Sequence, residues 1–227
     1  MTFATVASSL LIALQAIPLE VWGVLIGGLI TMATTAYFAG REHRKKRKSE
    51  AVAVALKATL INNSFSHLLH HIKSADNKAK GTNPRVKFDL WTRIPLLSGK
   101  LEPIVIEPNE LLVFIEAREY ELVQDLLTLT MRHKSMCDAF NDFADRKIEL
   151  RSRVTEGTIL SGEIVSHNAP LDMTSQIIVM ELNTLTNSIT DLLPLFRQES
   201  ATLCKKLTPA LRKHLGDKSV PYFREVG

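Results

Sequence analysis

Cysteine is nearly missing from this chain. Cys137 and Cys204 are the only two, and neither sits in a CxxC pair or at metal-ligand spacing. That excludes a disulfide framework and a thiolate zinc site. Two isolated thiols inside helical patterns fit a reducing compartment. The loops that cradle phosphates or present a nucleophile are also missing. There is no GxxxxGK[ST], no GxGxxG, no GxSxG and no HExxH, so the nucleotide-binding, serine-hydrolase and zinc-protease classes lose their signatures. The paired ExxH motifs of di-iron bundles are absent too. No cofactor is expected, and enzymatic activity is not indicated.

Charge is missing from one end. Residues 1–40 contain no Lys or Arg and one acid, Glu20. A secretory signal would open on a positive segment and close on a small-residue cleavage site, and neither is present, so the apolar N-terminal region reads as an uncleaved anchor. The formal charge of +4 is local. Six basic residues crowd into 41–48, and the rest of the chain is balanced. No aromatic residues interleave with that cluster, so nucleic acid is not an expected partner.

Residues 21–39 form an uncharged apolar run of the length that crosses a bilayer core. Trp22 and Tyr37 flank it as interfacial rings. Arg41, Arg44, Lys45, Lys46, Arg47 and Lys48 follow at once. They predict a single pass with the N-terminus outside, the C-terminal part cytoplasmic, and contact with the bilayer and its anionic lipids. Pro18 suits the first turn of the span. Gly23-x-x-x-Gly27 and Ala36-x-x-x-Gly40 offer small faces for helix association, although glycine is also simply common in spans. Residues 2–16 reach roughly 22 Å as a helix and read as an interfacial segment.

Beyond the basic cluster the pattern is helical. Ala51, Val54, Ala58, Ile61, Phe65, Leu68, Ile72 and Ala75 make a heptad seam that continues the anchor into a stalk. Prolines and glycines break it over 76–108. There, Val86, Phe88 and Leu90 alternate with charges, and Ile104-Val105-Ile106 could pair with them as a small β-hairpin. Pro108-Asn109-Glu110, with Asn109 as N-cap, opens a helix predicted to run to about Arg153. Its d-type seam is Ile115, Leu122, Leu129, Met136, Phe143 and Leu150. Its a-type seam alternates Leu112, Glu119, Leu126, His133, Phe140 and Lys147. Polar a positions can fix register and partner, but helical drift is expected to turn these three outward. A second irregular connection covers 154–171. Asp172 or Thr174 then caps a helix with the seam Ile178, Leu182, Leu185, Ile189, Leu192, Phe196, Leu203 and Leu207. Pro194 should kink it, and Thr208-Pro209 should open a separate short helix.

Two clusters could carry chemistry. His67 and His71, four apart on one helix face, can share a metal if other ligands join them, for which His133 and His167 are candidates. A solvated face is the alternative. Glu116, Glu119, Glu121 and Asp125 read as an exposed acidic face paired in part with Arg118. The expected architecture is mainly α: a short apolar segment (1–17), a transmembrane helix (18–40), a basic juxtamembrane cluster (41–48), an elongated antiparallel helical bundle with two irregular connections (49–216) and a tail (217–227). The expected function is a membrane-anchored, non-enzymatic interaction or scaffolding module for a protein partner, with homo-oligomers possible in principle. The alternatives are a metal- or pH-responsive sensor using the histidines, and a membrane-bound enzyme of unrecognised type.

Overall fold

The computed structural model describes residues 19–82, 89–153, 160–161, 164–165 and 172–215, with side chains described for 28–78, 89–153 and 172–214. The protein is mainly helical. It divides into two compact units, 1–49 and 50–227. The expected segments 1–17 and 217–227 lie outside the described residues.

Helix α1 (Leu19–Thr82) contains no proline and belongs to both units. In the first unit, Gly28 to Lys46 are exposed throughout. Among the described residues no helix is long and apolar enough to cross a membrane, so the span expected at 18–40 is not established by the fold.

In the second unit the seam of α1 is buried as its spacing requires. Ala51, Val54, Ala58, Ile61 and Phe65 are fully buried, and Leu68 and Ile72 nearly so. After α1 comes a connector, residues 89–111, holding a short helix α2 (Leu90–Arg93) and a 3-10 turn (Pro108–Leu111). Its contacts run backwards along α1. Arg93 pairs with Asp76 at 2.7 Å, the carbonyl of Pro95 meets His71 Nε2 at 3.1 Å, and Glu110 receives Lys57 Nζ at 2.7 Å. The connector therefore retraces the helix it follows.

The helix predicted over 109–153 is two helices, α3 (Leu112–Glu116) and α4 (Tyr120–Arg153). Arg118 has φ 59°. Its N–H donates to Ile115 O at 3.0 Å and the Glu119 N–H donates to Phe114 O at 2.9 Å. That pair of bonds is a Schellman motif with arginine in the left-handed position that glycine usually takes. The break also explains why Leu112 and Ile115, before it, are exposed, whereas every a and d position from Leu122 to Leu150 is buried. The start differs as well: the N-cap is Glu107, not Asn109, and the Glu107 N–H donates to Glu110 Oε2 at 2.8 Å.

Helix α5 (Met173–Leu215) begins where Asp172 Oδ1 accepts the Ser175 N–H at 3.2 Å. It continues through both Pro194 and Pro209, so no separate helix starts at Thr208. That residue is buried in the helix, and packing on the core outweighs the one lost backbone bond. Its seam also shifts. Leu192 is exposed and Leu193 fully buried, the rotation expected when a 3.6-residue helix departs from a strict heptad.

Ion pairs Glu119–His214, Asp125–Lys206, Arg132–Glu199 and Arg146–Glu181 make α4 and α5 antiparallel. Helices α1 and α4, by contrast, run parallel. Ser64 meets His133 near the middle of each, and the connector ties Asp76 and Lys147 together at the far end. An all-antiparallel bundle was expected. It does not form because the connector spends its length returning along α1 instead of turning directly into the next helix. Phe65 of α1, His133 of α4 and Phe196 of α5 meet at the centre, with Phe65 5.5 Å from the His133 ring and 6.0 Å from Phe196. Among the described residues the expected hairpin at 86–90 and 104–106 is not seen. Residues 86–88 lie outside the described residues, Leu90 opens α2, and 104–106 carries no strand pairing. A two-rung antiparallel ladder instead joins β1 (Leu160–Ser161) to β2 (Ile164–Val165).

Candidate functional site

The chemistry of this protein is concentrated where α4 meets the connector. An irregular segment laid on a core brings backbone groups with no helical partner, and each must be satisfied. Three side chains of α4 do this. His133 Nδ1 accepts the Ile104 N–H at 3.1 Å. Asn141 takes Leu101 from both sides, its Oδ1 accepting the N–H at 2.9 Å and its Nδ2 donating to the carbonyl at 3.0 Å. Lys147 Nζ donates to the carbonyls of Trp91, at 3.2 Å, and Ile94. It also lies 5.6 Å from the Phe143 ring centroid, within cation–π range.

His133 and Lys147 are thus not turned outward. They are 1 % and 2 % exposed, and the expectation that drift would expose them is wrong. Drift is small over the two heptads that separate them, and the groove they face is filled by backbone, which a polar side chain satisfies better than an apolar one. Glu119, the third polar a position, lies at the Schellman break. It is half-buried and accepts His214 Nε2 at 2.6 Å. This bond is the largest cause holding its carboxyl below the usual range; burial opposes it, and Lys213 adds a smaller lowering effect.

His133 and Cys137 resemble a nucleophilic pair, with Cys137 Sγ 3.8 Å from Nε2 and 4.0 Å from Nδ1. The arrangement does not activate the thiol. Burial, with a contribution from Asp138, pushes Cys137 up to about 11, and burial also holds His133 below the usual histidine range. Catalytic cysteines need the opposite: a depressed thiol pKa beside a cationic imidazole, open to substrate. Because Nδ1 accepts the amide of Ile104, the proton of neutral His133 resides on Nε2 and is donated to Ser64 Oγ at 3.2 Å. A second buried polar contact lies on the other side of α1. Ser200 Oγ donates to Asn62 Oδ1 at 2.8 Å, both residues 2 % exposed or less.

The described candidate metal ligands are each placed differently. His67 is exposed, His71 is bonded to Pro95 O, His133 is committed to Ser64 and Ile104, and His167 lies outside the described residues. Among the described residues no group of three His, Cys, Asp or Glu side chains could hold a metal ion. In the acidic stretch, α5 pairs Asp125 through Lys206 and Glu119 through Lys213 and His214.

Of the anchor residues, Trp22, Gly23 and Gly27 lie outside those whose exposure is described. Tyr37 is exposed and packs edge-on to Phe38 at 5.8 Å. Arg41, Arg44, Lys45, Lys46 and Lys48 are exposed and Arg47 is half-buried. Sequence reasoning missed Asn62, Ser64, Asn141 and Ser200. The spacing of His133 and Lys147 was the one available signal, and it marks a seam without saying what lies across it. Compared with protein-family models, curated proteins and solved structures, the chain matches none.

Proposed function

We propose that this chain is a single-pass membrane protein whose second unit is a non-enzymatic helical interaction module held at the cytoplasmic face. One observation carries the anchoring part. Helix α1 presents Leu29, Ile30, Met32 and Phe38 to its surroundings, each 59–72 % exposed, directly before a solvated basic cluster. Apolar area left in water costs roughly 25 cal/mol per Å², whereas lipid removes that cost. Thr34 suits the same setting, since its Oγ1 returns its bond to Ile30 O at 2.8 Å and so is not left unmet in lipid. The basic residues then meet anionic headgroups, each contributing on the order of 1 kcal/mol.

The interaction role is supported by the chemistry of the second unit. The buried side chains of His133, Asn141 and Lys147 are spent on holding the connector, and the His133–Cys137 contact is electrostatically wrong for catalysis. The test uses the full chain with a C-terminal reporter. After alkaline carbonate extraction it should remain with the membrane, and the reporter should be open to protease from the cytoplasmic side only. Release into the aqueous fraction would overturn the anchor. Neutralising Arg44, Lys45, Lys46, Arg47 and Lys48 should disturb orientation.

A further inference from the structure

We propose that His133 is a proton-operated latch: protonating its imidazole frees the connector around Ile104 and uncovers the core beneath Ile106. This does not depend on membrane anchoring. Nδ1 is the acceptor for the Ile104 N–H at 3.1 Å. Once protonated, Nδ1 becomes a second donor facing the first, so the contact turns from attractive to repulsive. The other nitrogen is already a donor to Ser64, so the ring cannot switch tautomer to rescue the bond. The new charge also has no room to rehydrate, because the ring is 1 % exposed and stacked edge-on to Phe65.

The groups facing His133 do not offset that charge. From α1 come Ser64 and the Phe65 ring, both neutral; Lys57 pairs with Glu110 and His71 with Pro95 O. From the connector comes the Ile104 amide, while Glu102 and Glu107 on either side are exposed. From α4 comes the neutral Cys137 thiol, while Lys134 and Asp138, of opposite charge, are both exposed. From α5, Glu199 is already taken by Arg132, whose guanidinium lies over Phe196. The depressed basicity of His133 agrees with this geometry. Folded His133 resists a proton that the unfolded chain accepts at about 6.5, so the stability it contributes is fully present above that pH, wanes below it, and is lost as pH falls through the lower value of the folded ring.

The latch is local. Asn141 holds Leu101 from both sides with an amide, which does not titrate, so the connector before Leu101 stays in place. Residues 102–107, with Ile106 only 3 % exposed, are the part released.

The experiment is amide hydrogen exchange on the full chain in zwitterionic-lipid nanodiscs between pH 7.5 and 5, corrected for the intrinsic pH dependence of exchange. Exchange across 102–107 should rise at least tenfold at the acid end, while 89–101 and α4 stay protected. In His133→Asn, whose Oδ1 can accept the same amide and cannot take up a proton here, the dependence should vanish. Should that variant fold poorly, wild-type histidine NMR decides alone: at pH 7.5 the His133 ring should be neutral with its proton on Nε2, and it should take up the second proton below the usual histidine range as exchange across 102–107 rises. Flat exchange in the wild type, the same slope in His133→Asn, or an imidazolium at position 133 at pH 7.5 would each overturn the latch.

Discussion

Lys147→Met tests whether α4 holds the connector through its buried polar side chains. Methionine keeps most of the lysine stem, so the packing that a long side chain provides is largely retained. What disappears is the ammonium and its bonds to Trp91 O and Ile94 O. Hydrogen bonds to a charged group contribute about 1.5–3 kcal/mol each, which places two of them at about 3–6 kcal/mol. Against this stands the cost of keeping an ammonium out of water, several kcal/mol in its own right, which the variant escapes. The net contributions of bonds to charged groups already include much of that cost. The connector can also shift to let water reach one carbonyl. A loss of about 3 kcal/mol is therefore expected.

For a unit of this size, each kcal/mol moves the midpoint by about 2–4 °C, so the melting temperature should fall by about 6–12 °C. The assay is thermal unfolding of the full chain in nanodiscs, read from Trp91 fluorescence in a Trp22→Phe background. Trp91 is 6 % exposed, at the connector's anchored end, so its emission reports the contact itself. Lys147→Ala should cost a further 1–2 kcal/mol, since it also removes buried methylenes. A Lys147→Met protein as stable as the wild type, or more so, would refute the reasoning: desolvation would then outweigh both bonds, and the buried lysine would be a burden carried for some other reason.

Ser200→Ala strands Asn62 Oδ1 in the core between α1 and α5 and should cost about 1–2 kcal/mol; a double-mutant cycle with Asn62→Ala should return a coupling near 1 kcal/mol. Arg118→Gly should raise stability by up to about 1 kcal/mol, because it relieves a left-handed residue, and Arg118→Val should lower it; urea midpoints distinguish the two. Neither thiol should react with a disulfide exchange reagent at neutral pH in the folded protein, since both are buried and Cys137 is held near 11; two should react once it is unfolded. Fast labelling of Cys137 before unfolding would show that the core around His133 opens far more often than its burial implies.

The helices were readable because their cause is periodic. The α1 seam from Ala51 to Ile72 and the α4 seam from Leu122 to Leu150 are buried residue for residue as the spacing required. The interruptions were less readable. Arg118 sits where glycine or asparagine would have announced a helix end, and Pro209 sits inside a helix that packing carries past it. The connector was read only as broken pattern. It has no period of its own, and its position is set by three side chains more than twenty residues further along the chain. Without it, the polar a positions had nothing to face, so they were assigned to solvent.

A heptad seam has no built-in direction. The apolar line on α1 would pack on α4 in either orientation, and a short turn at 76–108 would have given the antiparallel pair. The polar contacts break that symmetry. Lys147 takes Trp91 and Ile94, Asn141 takes Leu101, and His133 takes Ile104, so the connector descends as α4 ascends. Reversing α1 against α4 would keep its apolar burial but leave these connector N–H and C=O groups without partners. An unmet buried group costs about 1–3 kcal/mol, so several together separate the two arrangements by more than the stability margin of many domains. The residues that weaken the seam as a hydrophobic surface are the ones that select its topology. One of them, His133, is also the group through which a change of pH can reach that choice.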